Sequence, residues 1–172
     1  CVVPDPARDF DYSKMVERIR QANPAMKHGI VLGEAPAGFL SLSEMIANPA
    51  ALPPSALSDI KIDPTDPAVF QLSGGTTGIP KLIPRTHNDY AYNSKVASSV
   101  CAIDGDSVLL LVLPIAHNLP LACPGIQGVF FHGGKVVLGT STRPEQMCAL
   151  IEKHRVTHVK VVPSLLIRLL ND

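Results

Sequence analysis

The chain has 172 residues, 46% of them hydrophobic and 17% charged, which excludes an intrinsically disordered sequence and bounds the answer near one domain. Fifteen basic residues balance fifteen acidic ones, so no overall field draws the chain to nucleic acid or to an anionic membrane, and any bound anion must be held by local geometry. Sixteen Pro and twelve Gly without a Trp predict many turns and a core of Val, Ile, Leu and Ala. The cysteines, Cys1, Cys101, Cys123 and Cys148, form no C-x-x-C pair and no zinc spacing, so reduced, mostly buried thiols are expected. The longest strongly apolar run, Val108 to Ile115, is too short for a membrane helix, and no signal-peptide order stands at the N-terminus. The cytoplasm is the expected compartment. A start at Cys1 and a helical stop at Leu169 to Asp172 suggest that both ends are cut.

In chain order, Asp11 to Ala22 spaces Tyr12, Met15, Val16, Ile19 and Ala22 as one apolar helix face, ended by Asn23-Pro24. Gly29 to Gly33 reads as a buried strand. Ser41 or Ser43 caps a short helix through Ala47, with Glu44 three residues after Ser41 as in a capping box. Asn48 to Pro67 carries five prolines and reads as a connector. Strands are expected at Val69 to Leu72 and Lys81 to Pro84, and a helix from Thr86 to about Cys101. A strand at Val108 to Leu113 and a helix at Leu121 to Phe131 follow. The last elements are a strand at Lys135 to Leu138, a helix at Pro144 to Lys153, a strand at Val156 to Val162 and a helix from Ser164. Strands written as continuous Val/Leu runs and alternating with helices predict an α/β fold, a mostly parallel sheet flanked by helices.

Leu72-Ser73-Gly74-Gly75-Thr76-Thr77-Gly78-Ile79-Pro80-Lys81 carries the most chemistry. Its glycines let backbone N–H groups approach a ligand, Ser73, Thr76 and Thr77 add hydroxyls, and Lys81 adds a cation, a set that suits a polyphosphate. A Walker A loop is excluded, because from Gly75 the register places Pro80 where the last Gly belongs and Leu82 where the hydroxyl belongs. A plain surface hairpin is the alternative, but its turn would be longer than usual.

The run Ser73 to Lys81 resembles the phosphate-binding signature of the adenylate-forming acyl-CoA synthetase, adenylation-domain and luciferase superfamily. The extension Leu82-Ile83-Pro84-Arg85-Thr86-His87-Asn88-Asp89-Tyr90 resembles more narrowly the stand-alone aryl-acid adenylating enzymes of siderophore assembly, the salicylate–AMP and 2,3-dihydroxybenzoate–AMP ligases. The resemblance extends from Phe70 to the end of the chain. It implies part of a large N-terminal domain: residues 1–60 a variable α/β segment and Pro-rich connector, residues 61–172 a core α/β subdomain with phosphate loop and aryl pocket. A small C-terminal domain bearing a catalytic lysine would lie outside the chain, so these residues alone should form adenylate poorly.

It further implies that Ser73, Gly74, Gly75, Thr76, Thr77, Gly78 and Lys81 bind the phosphates of ATP with Mg²⁺ assisting. The activated aryl group would pass to the phosphopantetheine thiol of an aryl carrier protein. His117-Asn118, in the loop after the strand ending near Leu113, is similar to the family's aryl-pocket pair. His117 would serve catalysis beside the carboxylate, and Asn118 would bind the hydroxyl ortho to it. Cys123 stands where dihydroxybenzoate-activating members typically have serine. A thiol is a weak hydrogen-bond partner, so salicylate is the expected substrate over 2,3-dihydroxybenzoate. Other readings are ordinary core packing for Cys123, turn chemistry for the His-Asn pair, and a solvated edge charge for Lys81. No metal site is expected: His154 and His158 have helical spacing, but the helix ends near His154 and no third ligand is evident. For the whole function, the alternatives are a nucleotide-binding module without catalysis, adenylation of another carboxylic acid, or a phosphotransferase, which lacks a catalytic-base motif.

Overall fold

A computed structural model describes residues 1–4, 10–49, 53, 55–74 and 78–171, which form two units, Cys1–Lys61 and Ile62–Asp172. The first unit holds three short parallel strands, β1 (Val2–Val3), β2 (Ile30–Val31) and β3 (Leu40–Ser41), in that spatial order. Helix α1 (Tyr12–Ala22) begins where Asp11 accepts a hydrogen bond from the Lys14 amide at 2.9 Å. Its Val16 is fully buried against Val3 and Val31, with Tyr12 and Met15 at the margin. Ile19, predicted on the same face, is exposed. Ser41 caps α2 (Leu42–Ala47) by accepting from the Glu44 amide, as its spacing predicts. The connector contains a four-residue helix, α3 (Ser55–Ser58).

In the second unit, β4 (Pro67–Leu72) and β5 (Leu82–Thr86) pair antiparallel, with Leu72 opposite Leu82 and Gln71 opposite Ile83. Thr86 then caps α4 (His87–Val100), its hydroxyl accepting from the Asp89 amide at 3.2 Å. Strand β6 (Val108–Leu111) is the centre of a separate parallel sheet, between β7 (Lys135–Leu138) and β8 (His158–Lys160). Leu109 and Leu111 pack on Ile103 and Val129 on one face, and Leu110 on Val137, Met147 and Leu165 on the other. A strand covered on both faces has no polar positions to spare, which is why it reads as an unbroken apolar run. The covering helices are α6 (Gly125–Phe131) on the first face, and α7 (Pro144–His154) and α8 (Pro163–Asn171) on the second.

Among the described residues the strands lie in two parallel sheets and one antiparallel pair, so the α/β class with mostly parallel strands flanked by helices is as the alternation of elements predicts. The helix predicted over Leu121 to Phe131 is two helices, α5 (Asn118–Ala122) and α6. Pro124 lies between them: it has no N–H for the helical ladder, and its ring clashes with the preceding turn. Gly125 follows with φ +51°, and a Cβ there would stand 2.2 Å from the Pro120 carbonyl oxygen, so the corner closes only on glycine. Helix α6 lies close to α4 because Gly128 faces the buried Ser98, whose Oγ a Cβ at Gly128 would meet at 2.3 Å.

Candidate active site: a cleft beside a glycine-rich loop

Residues 74–80 join β4 to β5. Ser73 and Lys81 close this loop at its base: the Ser73 amide donates to the Lys81 carbonyl, and the Lys81 amide donates to Ser73 Oγ, each at 2.9 Å. With Oγ occupied as an acceptor, the Ser73 hydroxyl hydrogen is left to donate to a ligand. Gly74 has open space around it, and Gly78 sits at φ +118°, a conformation side chains rarely adopt. Lys81 is exposed. Gly75, Thr76 and Thr77 lie outside the described residues.

Beside the loop is a cleft of about 490 Å³. Val69 to Leu72 of β4 form one side, Ile83 and Tyr90 contribute, and Pro114, Ala116, His117, Asn118 and Leu121 form the other. The loop between β6 and α5 thus opens at the C-terminal end of a parallel strand, where open α/β sheets bind ligands. His117 caps α5: its Nδ1 accepts from the Leu119 amide at 3.3 Å, so in the neutral ring the proton belongs on Nε2, which becomes a donor. Asn118, at the first helical position, accepts through Oδ1 from Gln71 Nε2 at 2.8 Å. On α4, Asn93 donates to the Ala122 carbonyl at 2.9 Å and ties the far end of α5 in place.

Cys123 does not line this cleft. It is half-buried and ends α5. All four cysteines are free; contrary to the expected burial, Cys1 is exposed before β1, Cys101 is exposed at the end of α4, and Cys148 is exposed on α7. A second hollow of about 420 Å³, bordered by His87, Ser94, Gln127 and Phe131, holds none of the predicted site residues. His154 ends α7 while His158 is on β8, its ring nitrogens 2.8 Å from Thr157 Oγ1 and 3.2 Å from the Cys101 carbonyl. Among the described residues no group of three or more His, Cys, Asp or Glu side chains is placed to hold a metal ion, and no helix is long and apolar enough to cross a membrane.

Three cleft neighbours were missed by the sequence reading in any functional role: Gln71, Arg85 and Tyr90. Arg85 is paired with Asp89 one helical turn on, and its guanidinium lies 5.5 Å from the Tyr90 ring centre. The hydrogen bond from Arg85 holds the Asp89 carboxyl below the ordinary carboxylate value, and burial pushes the Tyr90 phenol up. The available signal was Gln71 itself, a polar residue on the same half-buried strand face as Val69.

A glycine-rich loop and a mostly apolar cleft with a few polar groups are thus joined by one strand, β4. The chain belongs to the AMP-binding enzyme family, whose model matches residues 2–172. It is 43% identical over 164 residues to the 2,3-dihydroxybenzoate-AMP ligase of Bacillus subtilis (strain 168), covering 95% of this chain and 29% of that protein. It is 41% identical over 164 residues to the salicyl-AMP ligase / salicyl-S-ArCP synthetase of Mycobacterium tuberculosis, covering 95% of this chain and 28% of that protein. Among solved structures, the apo structure of Mycobacterium smegmatis MbtA matches with a TM-score of 0.83 and 41% identity, over 99% of this chain and 30% of that one. The chain thus spans under a third of the length of these relatives.

Proposed function

We propose that the whole protein activates an aryl acid with ATP in the cytoplasm, salicylate in preference to 2,3-dihydroxybenzoate, for siderophore assembly. The carboxylate oxygen attacks the α-phosphorus, the bond to the bridging oxygen breaks, pyrophosphate leaves, and the aryl group is held as an acyl adenylate. The acyl carbon then passes to the phosphopantetheine thiol of an aryl carrier protein, with AMP leaving. The supporting observation is the course of β4. Gln71 is hydrogen-bonded to Asn118 in the cleft, and Ser73, two residues or about 7 Å further along the strand, opens the phosphate loop. One rigid element therefore spaces an acid bound in the cleft from a polyphosphate bound at the loop, which is the positioning that joining two anions requires.

In this reading Ser73, Gly74, Gly75, Thr76, Thr77, Gly78 and Lys81 hold the β- and γ-phosphates. Mg²⁺ comes with the nucleotide, since it is usually bound through phosphates and only one or two carboxylates. The loop's own residues are donors and a cation, which complements the phosphates and leaves the metal to the ATP oxygens. His117 Nε2–H faces the carboxylate and the forming adenylate, and Asn118 binds the ortho hydroxyl. Cys123 ends α5 outside the cleft's lining, so its thiol disfavours a second hydroxyl at carbon 3 only where the bound ring reaches it, at a cost of about 1–3 kcal/mol for a buried hydroxyl beside a weak partner. Both substrate names occur among the relatives, and the preference rests on Cys123.

Mass spectrometry of the whole protein incubated with ATP, Mg²⁺ and each acid tests the proposal. Salicyl-AMP should accumulate, with less of the dihydroxy product. ATP bound but unconverted with every benzoate would indicate a binding module instead.

A further inference from the structure

Gln71 is the centre of a chain of hydrogen bonds whose direction is fixed from one end. Asp89 holds Arg85, with a second contact from Nη2 to Oδ1 at 3.1 Å. Arg85 has donors and no acceptor, so the side of Gln71 that faces its Nη1, at 3.4 Å, must be the carbonyl Oε1. The Gln71 amide nitrogen is thereby turned the other way, where it donates to Asn118 Oδ1 at 2.8 Å and lies 3.4 Å from the Tyr90 hydroxyl. Asn118 must then meet Gln71 with its oxygen. Its Nδ2 is left on the cleft side, and among the described residues no group accepts from it.

We propose that Gln71 is a positioning residue that sets substrate selectivity: by fixing the Asn118 amide with its nitrogen toward the cleft, it selects an ortho substituent that accepts a hydrogen bond over one that donates. This rests on the proposed function, since it deepens the role of Asn118 in that site. In 2-hydroxybenzoate the hydroxyl hydrogen points to the molecule's own carboxylate, leaving the oxygen to accept from Nδ2. In 2-aminobenzoate the nitrogen lone pair is drawn into the ring and the group presents N–H, so donor would meet donor. A site built around one polarity rejects the opposite one strongly.

The test is the ratio of kcat/KM for 2-hydroxybenzoate to that for 2-aminobenzoate in the whole protein, with melting curves beside it. A residue that only supports the fold would lower both values together and leave the ratio alone. Gln71→Glu still accepts from Arg85 but has no donor for Asn118, whose amide should turn over. The ratio should move toward 2-aminobenzoate by roughly tenfold or more, the scale of one hydrogen bond gained and one lost. Gln71→Leu frees the Asn118 amide without reversing it, so its ratio should lie between the other two, and it carries the test if Gln71→Glu folds poorly. A wild type that discriminates and variants that keep its ratio overturn the relay alone. A wild type that activates no ortho-substituted benzoate overturns the functional reading, and the selectivity role with it.

Discussion

Ser73 and Lys81 bond to each other twice across the mouth of the loop, amide to carbonyl and amide to hydroxyl, both at 2.9 Å. Ser73→Ala removes the second bond, but the freed Lys81 amide is at an exposed position and water can replace the partner. Stability should change by less than about 1 kcal/mol. The loss should instead appear in the nucleotide: KM for ATP is expected to rise about fivefold, with KM for the aryl acid unchanged, measured by initial rates with each substrate varied.

Gly74 and Gly78 separate two roles that composition alone cannot. Space is open at both, but only Gly78 has a positive φ, +118°. Gly78→Ala should strain the loop by about 1–3 kcal/mol and weaken ATP binding, while Gly74→Ala should leave the backbone unstrained. Calorimetric titration with ATP compares them directly.

The α4–α6 contact closes on Gly128. Gly128→Ala would drive a methyl against Ser98 Oγ and against Pro124 Cβ, 2.7 Å away, and should cost about 1–3 kcal/mol. Leu110→Ala, in the centre of the parallel sheet with no exposed surface, should cost about 2–5 kcal/mol. Urea unfolding of each variant measures both.

Asp89 and Asp104 have lowered pKa values, Asp89 chiefly through the Arg85 hydrogen bond and Asp104 chiefly through the Ser107 hydroxyl. A carboxyl with a lowered folded value contributes stability above its unfolded value, near 3.9, and loses it as pH falls through the folded value. Melting temperature should therefore hold from neutral pH to about 4 and fall below it, and Asp104→Asn should flatten the acid limb.

Much of this was legible because it is local. The Val/Leu run at β6, the caps at Ser41 and Thr86, and the spacing of α1 are all set within a few residues, and the structure places elements there. The break at Pro124 is also written in the sequence, but the apolar recurrence from Leu121 to Phe131 runs across it and masks it. Strand β8 is shorter than its apolar run because only His158–Lys160 pairs with β6. The relay from Asp89 to Asn118 was not legible, since Gln71 and Asn118 are 47 residues apart and only folding makes them neighbours. His117 and Asn118 are singled out by the motif they resemble; Gln71, which bonds Asn118, carries no motif of its own.

If this cleft and loop together join an ortho-hydroxy aryl acid to AMP, as proposed, the reverse reaction must depend on that acid. Aryl-acid-dependent exchange of labelled pyrophosphate into ATP, run on the whole protein with salicylate, 2,3-dihydroxybenzoate and unsubstituted benzoate, tests it most directly. Exchange should be fastest with salicylate, slower with the dihydroxy acid and slowest with benzoate. Exchange that is absent with all three, or equal for benzoate and salicylate, would contradict it.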